Sequence, residues 1–253
     1  MQKTLLGIAA TALSLLHLSI PPAHSQSPLQ GSTAAGRLLF YASSISTNGL
    51  SCNHCHANFD EDRSPDGLNR AGHSLYNSAR RDNWWGKDVD DVDAYPNISS
   101  AAIVCVERYQ RNPKKLTAQQ MLDLQIYLEA ITRQPVSIPL AITPGADKTR
   151  QYAGFDGGNR HSGRDLFYAT CHTCHPNGNA GIGPALPRDR DPSFYAQKIR
   201  EGDGLGAVLA GIDPNAYDKN SGQFMPFFGV DRLNNQEIRH LIAYILSLTP
   251  PSK

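Results

Sequence analysis

The order cysteine, two residues, cysteine, histidine occurs twice in this chain, as Cys52-Asn53-His54-Cys55-His56 and as Cys171-His172-Thr173-Cys174-His175. Two thiols at this spacing can reach both vinyl groups of one porphyrin and form thioethers. The next residue then places an imidazole under the iron. The blocks predict two covalently bound haem c groups, attached at Cys52, Cys55, Cys171 and Cys174, with His56 and His175 as iron ligands. Disulfides and zinc are the rival uses of paired cysteines. Neither requires the trailing histidine that both blocks carry.

Lys3, an apolar run from Leu5 to Ile20, then Pro21-Pro22 and Ala23-His24-Ser25 have the pattern of a secretory leader. Residues 1–25 are expected to be removed, with cleavage after Ser25. The run contains His17 and is short for a membrane span of ~20 residues. No later stretch is apolar enough to span, so the mature chain is expected in the periplasm or an equivalent exported compartment. Lysine and arginine total 24 against 23 aspartates and glutamates, with no basic tract to suggest nucleic acid. Gly 21 and Pro 17 with a hydrophobic fraction of 40% suit small, loop-rich folds in which a buried porphyrin supplies much of the core.

An internal repeat divides the chain. Gly36-Arg37-Leu38-Leu39-Phe40-Tyr41-Ala42-Ser43 matches Gly163-Arg164-Asp165-Leu166-Phe167-Tyr168-Ala169-Thr170, each ahead of a pentad. Their apolar spacing predicts short amphipathic helices. Thr117 and Asn234, each with Gln or Glu three residues on, predict capping boxes. The helices they open run to Ala130 and Leu248. On these, Leu124, Tyr127 and Leu128 correspond to Leu241, Tyr244 and Ile245 as one apolar face. Pro135 to Leu140, then Thr143-Pro144-Gly145, read as a stiff connector.

Helix, pentad, loops and terminal helix, present twice, resemble the class I cytochrome c fold. The resemblance implies an all-α chain: residues 26–134 as a first cytochrome c domain, 135–158 as linker and 159–253 as a second domain. In that family a loop like Gly183-Pro184-Ala185-Leu186 packs on the proximal face, and its proline carbonyl accepts a hydrogen bond from the proximal imidazole. The family's axial methionine corresponds to Met225, in Phe224-Met225-Pro226, which implies a His/Met haem of raised potential.

The first half has no methionine at that place. Gly72-His73-Ser74-Leu75 aligns with the proximal loop, which puts His73 on the wrong side to be the second ligand. His54 and His172 sit inside the pentads and cannot turn back to an iron. Cys105, the thiol left over from the pentads, stands ahead of the terminal helix much as Met225 does. Its surroundings, Cys105-Val106-Glu107-Arg108, resemble the Cys-x-Glu-Arg segment of thiosulfate dehydrogenases and related sulfur-oxidising dihaem cytochromes, in which the cysteine ligates haem. The run Leu75-Tyr76-Asn77 to Trp84-Trp85-Gly86 is similar to the same group. The thiosulfate dehydrogenase pattern has an arginine four residues before the cysteine and a serine four after; here Ala101 and Tyr109 stand there. The resemblance implies Cys105 as ligand and a first haem of lower potential, because a thiolate favours Fe(III).

The expected function is electron transfer between redox partner proteins through a low-potential His/Cys haem and a higher-potential His/Met haem. The alternative is oxidation of a small sulfur anion such as thiosulfate at the first haem. Arg70, Arg80, Arg81 and Arg108 are the cations available for it. Asp88, Asp90, Asp91 and Asp93 read as a solvated loop.

Overall fold

The computed structural model describes residues 29–63, 65–81, 98–133, 143–218, 220–221 and 224–248. The leader pattern, Trp84-Trp85-Gly86, the aspartates from Asp88 to Asp93 and Pro135 to Leu140 lie outside these. Eight α-helices stand among the described residues, and no strand: α1 (Thr33–Tyr41), α2 (Cys52–Cys55), α3 (Ile98–Val104), α4 (Ala118–Ala130), α5 (Arg160–Thr170), α6 (Pro192–Glu201), α7 (Leu205–Leu209) and α8 (Asn235–Ser247).

Helix α1 packs on α4, and α5 packs on α8. The same device brings each pair together. A Cβ on Gly36 would collide with the Asp123 carbonyl and stand 2.6 Å from Tyr127 Cβ. A Cβ on Gly163 would collide with the His240 carbonyl and stand 3.0 Å from Tyr244 Cβ. The helix axes approach this closely only because each crossing point lacks a side chain. Beside the crossings the rings of Phe40 and Tyr127 pack at 5.8 Å, and those of Phe167 and Tyr244 at 5.2 Å.

Both predicted capping boxes are formed. Thr117 Oγ1 accepts the Gln120 N–H at 3.2 Å, while Gln120 Oε1 accepts the Thr117 N–H at 2.9 Å. Asn234 and Glu237 exchange the equivalent pair at 3.0 and 2.7 Å. Phe40, Leu124, Tyr127 and Leu128 form one buried core; Phe167, Ile238, Leu241, Ile242 and Ile245 form another.

The stretch expected to be linker differs in its described part. Tyr152 is buried in the second core and its hydroxyl donates to Glu201 at 2.7 Å, while Thr143 O accepts the Val230 N–H at 3.1 Å. An aromatic ring with a hydrogen-bonding tip gains more by burial against α6 than by remaining in a free connector.

The two halves meet along a polar seam. Arg232 pairs with Glu61 through both guanidinium nitrogens at 3.2 Å, and its Nε donates to Arg70 O at 2.7 Å. The Asn69 N–H donates to Ala169 O at 2.9 Å. Farther along, Phe224 stacks on Tyr109 with ring centroids 4.7 Å apart.

Candidate functional site

Each pentad opens onto its own cavity. In the first, Ser51 caps α2, and His54 Nδ1 turns back to accept the Ser51 N–H at 2.8 Å. One helical turn then puts Cys52 and Cys55 on one face, three residues apart. His56 leaves the helix in an extended conformation, its N–H bonded to Cys52 O at 2.9 Å. The second pentad follows α5 directly, and the His175 N–H donates to Cys171 O at 2.9 Å. His172 stays local, its Nδ1 accepting the Asn177 N–H at 3.2 Å.

The imidazoles are held alike. His56 Nδ1 lies 2.7 Å from His73 O, and His175 Nδ1 lies 2.7 Å from Pro184 O. A carbonyl only accepts, so in each ring Nδ1 carries the proton and Nε2 keeps its lone pair. A Cβ on Gly72 would lie 2.6 Å from His56 Nδ1, and one on Gly183 would lie 2.9 Å from His175 Nδ1. The glycines leave room for the rings to lie flat on these loops. Burial lowers the pKa of both histidines, His56 to about 4, so both rings are neutral at physiological pH.

The first cavity is lined by Cys52, Cys55, His56 and Cys105, among apolar neighbours such as Phe40, Leu124 and Leu128. It encloses about 1380 Å³, with the open solvent at its mouth included. Cys105 begins a π-helical turn, Cys105–Tyr109, that continues α3. Wider winding brings Cys105, Tyr109 and Gln110 to the same cavity wall, and π turns recur at functional positions. Gln110 Nε2 lies 3.8 Å from Cys52 Sγ. Burial pushes the Cys105 thiol far up, with Cys52 and Cys55 adding to it.

The second cavity is lined by Cys171, Cys174, His175 and Met225 and encloses about 1530 Å³ on the same measure. Asp203, just past the end of α6, holds Met225 at both sides of its backbone. Its carboxylate accepts the Met225 N–H at 2.7 Å, and its own N–H donates to Met225 O at 3.1 Å. Arg200, fully buried on α6, ties the same loop to α8 through Phe228 O at 2.9 Å and Asn235 Oδ1 at 2.7 Å.

Ala71, Phe224 and Pro226 border both cavities. Burial pushes Cys55 up to about 12, and Cys174 of the other pentad contributes.

These residues fit haem c. All five cysteines are free thiols. Among the described residues no three His, Cys, Asp or Glu stand together as a metal site. An apolar cavity with two neighbouring thiols and one imidazole presenting Nε2 has the residue set that a covalently held porphyrin takes.

Residues 161–249 match the family model of cytochrome c. That match supports a c-type cytochrome with covalently bound haem c and a haem-based electron-transfer role. Among curated proteins nothing matches the chain. No helix among the described residues is long and apolar enough to cross a membrane.

Sequence reasoning anticipated His73 at the proximal-loop position but not that its carbonyl would take the role of the Pro184 carbonyl. Asp203, Arg232, Tyr109 and Phe224 were not anticipated as cavity or seam residues. A carboxylate 22 positions from the methionine it holds leaves no local signal.

Proposed function

We propose that the chain is a periplasmic dihaem cytochrome c that carries electrons between redox partner proteins. Residues 26–134 form a cytochrome c domain as 159–253 do. Cys52 and Cys55 hold the first haem and Cys171 and Cys174 the second. His56 with Cys105, and His175 with Met225, are the iron ligands. The observation that carries this reading is the repeated cavity: in each half a pentad, a glycine-backed imidazole giving its Nδ1 proton to a carbonyl, and one further sulfur donor line a single apolar space.

When bound, haem supplies a one-electron iron couple. The chain's residues set its surroundings. The His73 and Pro184 carbonyls raise the basicity of the imidazoles. Cys105 as thiolate favours the ferric state and the Met225 thioether the ferrous, which makes the first site the lower in potential. A thiol as buried as Cys105 is held ionised by a metal cation.

The sulfur-anion alternative requires a guanidinium facing the ligand thiol. Arg70 is engaged by Asp66 and by Asn53 O. Arg81 and Arg232 line the first cavity, but Arg81 donates to Ser74 O at 2.8 Å and Arg232 to Glu61 and Arg70 O. Low-temperature EPR of the oxidised holoprotein tests the ligand: a low-spin thiolate signal present in wild type and lost in Cys105→Gly is expected, and an unchanged spectrum rejects Cys105. Absence of thiosulfate turnover with an artificial acceptor is expected of a carrier; turnover transfers the case to the alternative.

A further inference from the structure

The segment from Asn69 to His73 has two faces. One holds His56: the Gly72 N–H donates to Cys55 O at 2.8 Å, Gly72 lies against the imidazole, and His73 O takes the Nδ1 proton at 2.7 Å. The other face is bonded to the second half of the chain. The Asn69 N–H donates to Ala169 O at 2.9 Å, and its side chain donates to Arg232 O at 2.6 Å. Arg70 O accepts from Arg232 Nε at 2.7 Å. Ala71 packs on the second core, and His73 Nε2 lies 3.1 Å from the Asp231 carboxylate. Arg232 is itself fixed by Glu61, and its side chain is only 16% exposed.

The equivalent loop of the second half is built otherwise. Its hydrogen bonds stay at home, the Gly183 N–H to Cys174 O at 2.9 Å and the Leu186 N–H to Gly178 O at 2.9 Å. The two imidazoles are therefore supported asymmetrically. His175 rests on its own half; His56 rests on a loop clamped by the other half.

We propose that Arg232 and Asp231 are positioning residues for His56, so that the second half of the chain sets the ligand strength of the first half's imidazole. The inference rests on the two-haem reading above. A carbonyl held still keeps the Nδ1–H bond short and the imidazole a strong donor. Released from Arg232, the segment loosens, the ring donates less to iron, and the ferric state is less favoured. Loss of the Arg232 charge by itself would act in the opposite sense, since a nearby cation disfavours the ferric state. The sign of the change separates the two effects.

The test is Arg232→Met in the holoprotein, followed by exchange of the two imidazole Nδ1 protons into deuterated water by paramagnetic NMR, with redox titration of both haems. Faster exchange at His56 with His175 unchanged, and an upward shift of the first haem's potential alone, are expected. Arg232→Lys, which keeps the charge and one donor, should give an exchange rate at His56 between those of wild type and Arg232→Met. Unchanged exchange, equal acceleration at both rings, or a fall in the first potential would overturn the proposal. Should Arg232→Met fail to fold, Glu61→Gln weakens the same clamp and is read by the exchange rates alone, faster at His56 and unchanged at His175, because loss of the Glu61 charge raises the first potential by itself. A preparation carrying one porphyrin would overturn the two-haem reading and this inference together; two porphyrins with unaltered exchange overturn the inference alone.

Discussion

Single side chains decide what each cavity can hold. Asp203 grips Met225 by two hydrogen bonds to its backbone. Asp203→Ala removes a charge-assisted one of about 1.5–3 kcal/mol. The expected outcome is a methionine loop that opens to exogenous ligands, seen as faster cyanide or imidazole binding at the second haem alone. Asp66 offers a pH test. Hydrogen bonds from Arg70, first among the causes, hold its carboxyl below the usual carboxylate range. A depressed folded-state pKa contributes stability above the unfolded value, and that contribution disappears as pH falls through the folded one. The gap in Tm between wild type and Asp66→Asn should be open near neutral pH and close well below the carboxylate range.

Two elements per half do the structural work, and both were readable in advance. The Gly36 and Gly163 segments, the boxes at Thr117 and Asn234, and the apolar faces of α4 and α8 are local patterns with fixed spacing, and the chain folds them as the pattern requires. Gly36→Ala and Gly163→Ala should each destabilise by about 1–3 kcal/mol, because a methyl group at the crossing forces the helices apart. Thr117→Ala should cost about 1 kcal/mol. Thermal unfolding of the three variants checks both figures. The π turn at Cys105 was not readable: its winding answers to the cavity it borders, and the sequence around it carries no glycine or proline to mark it. The same holds for Tyr152 and for the seam, where partners such as Arg70 and Arg232 lie 162 positions apart. Only the tertiary structure brings such residues together.

At the scale of the whole molecule the pentads predict stoichiometry. Exported holoprotein should carry two covalent porphyrins by intact mass, and Cys52→Ala with Cys55→Ala should carry one, since each cavity is lined by the cysteines of its own pentad. The clamp at Arg232 and the stacking of Phe224 on Tyr109 join the halves, so heat should unfold the wild type in a single transition. Calorimetry of Arg232→Met should show it separating into two.

Ala71, Phe224 and Pro226 belong to both compartments at once. A party wall of this kind makes dissection of the chain costly. A fragment ending in the connector would keep its pentad and helices but have one side open to water. Either fragment made alone should mature poorly and lose its low-spin spectrum, and mixing the two should restore that spectrum.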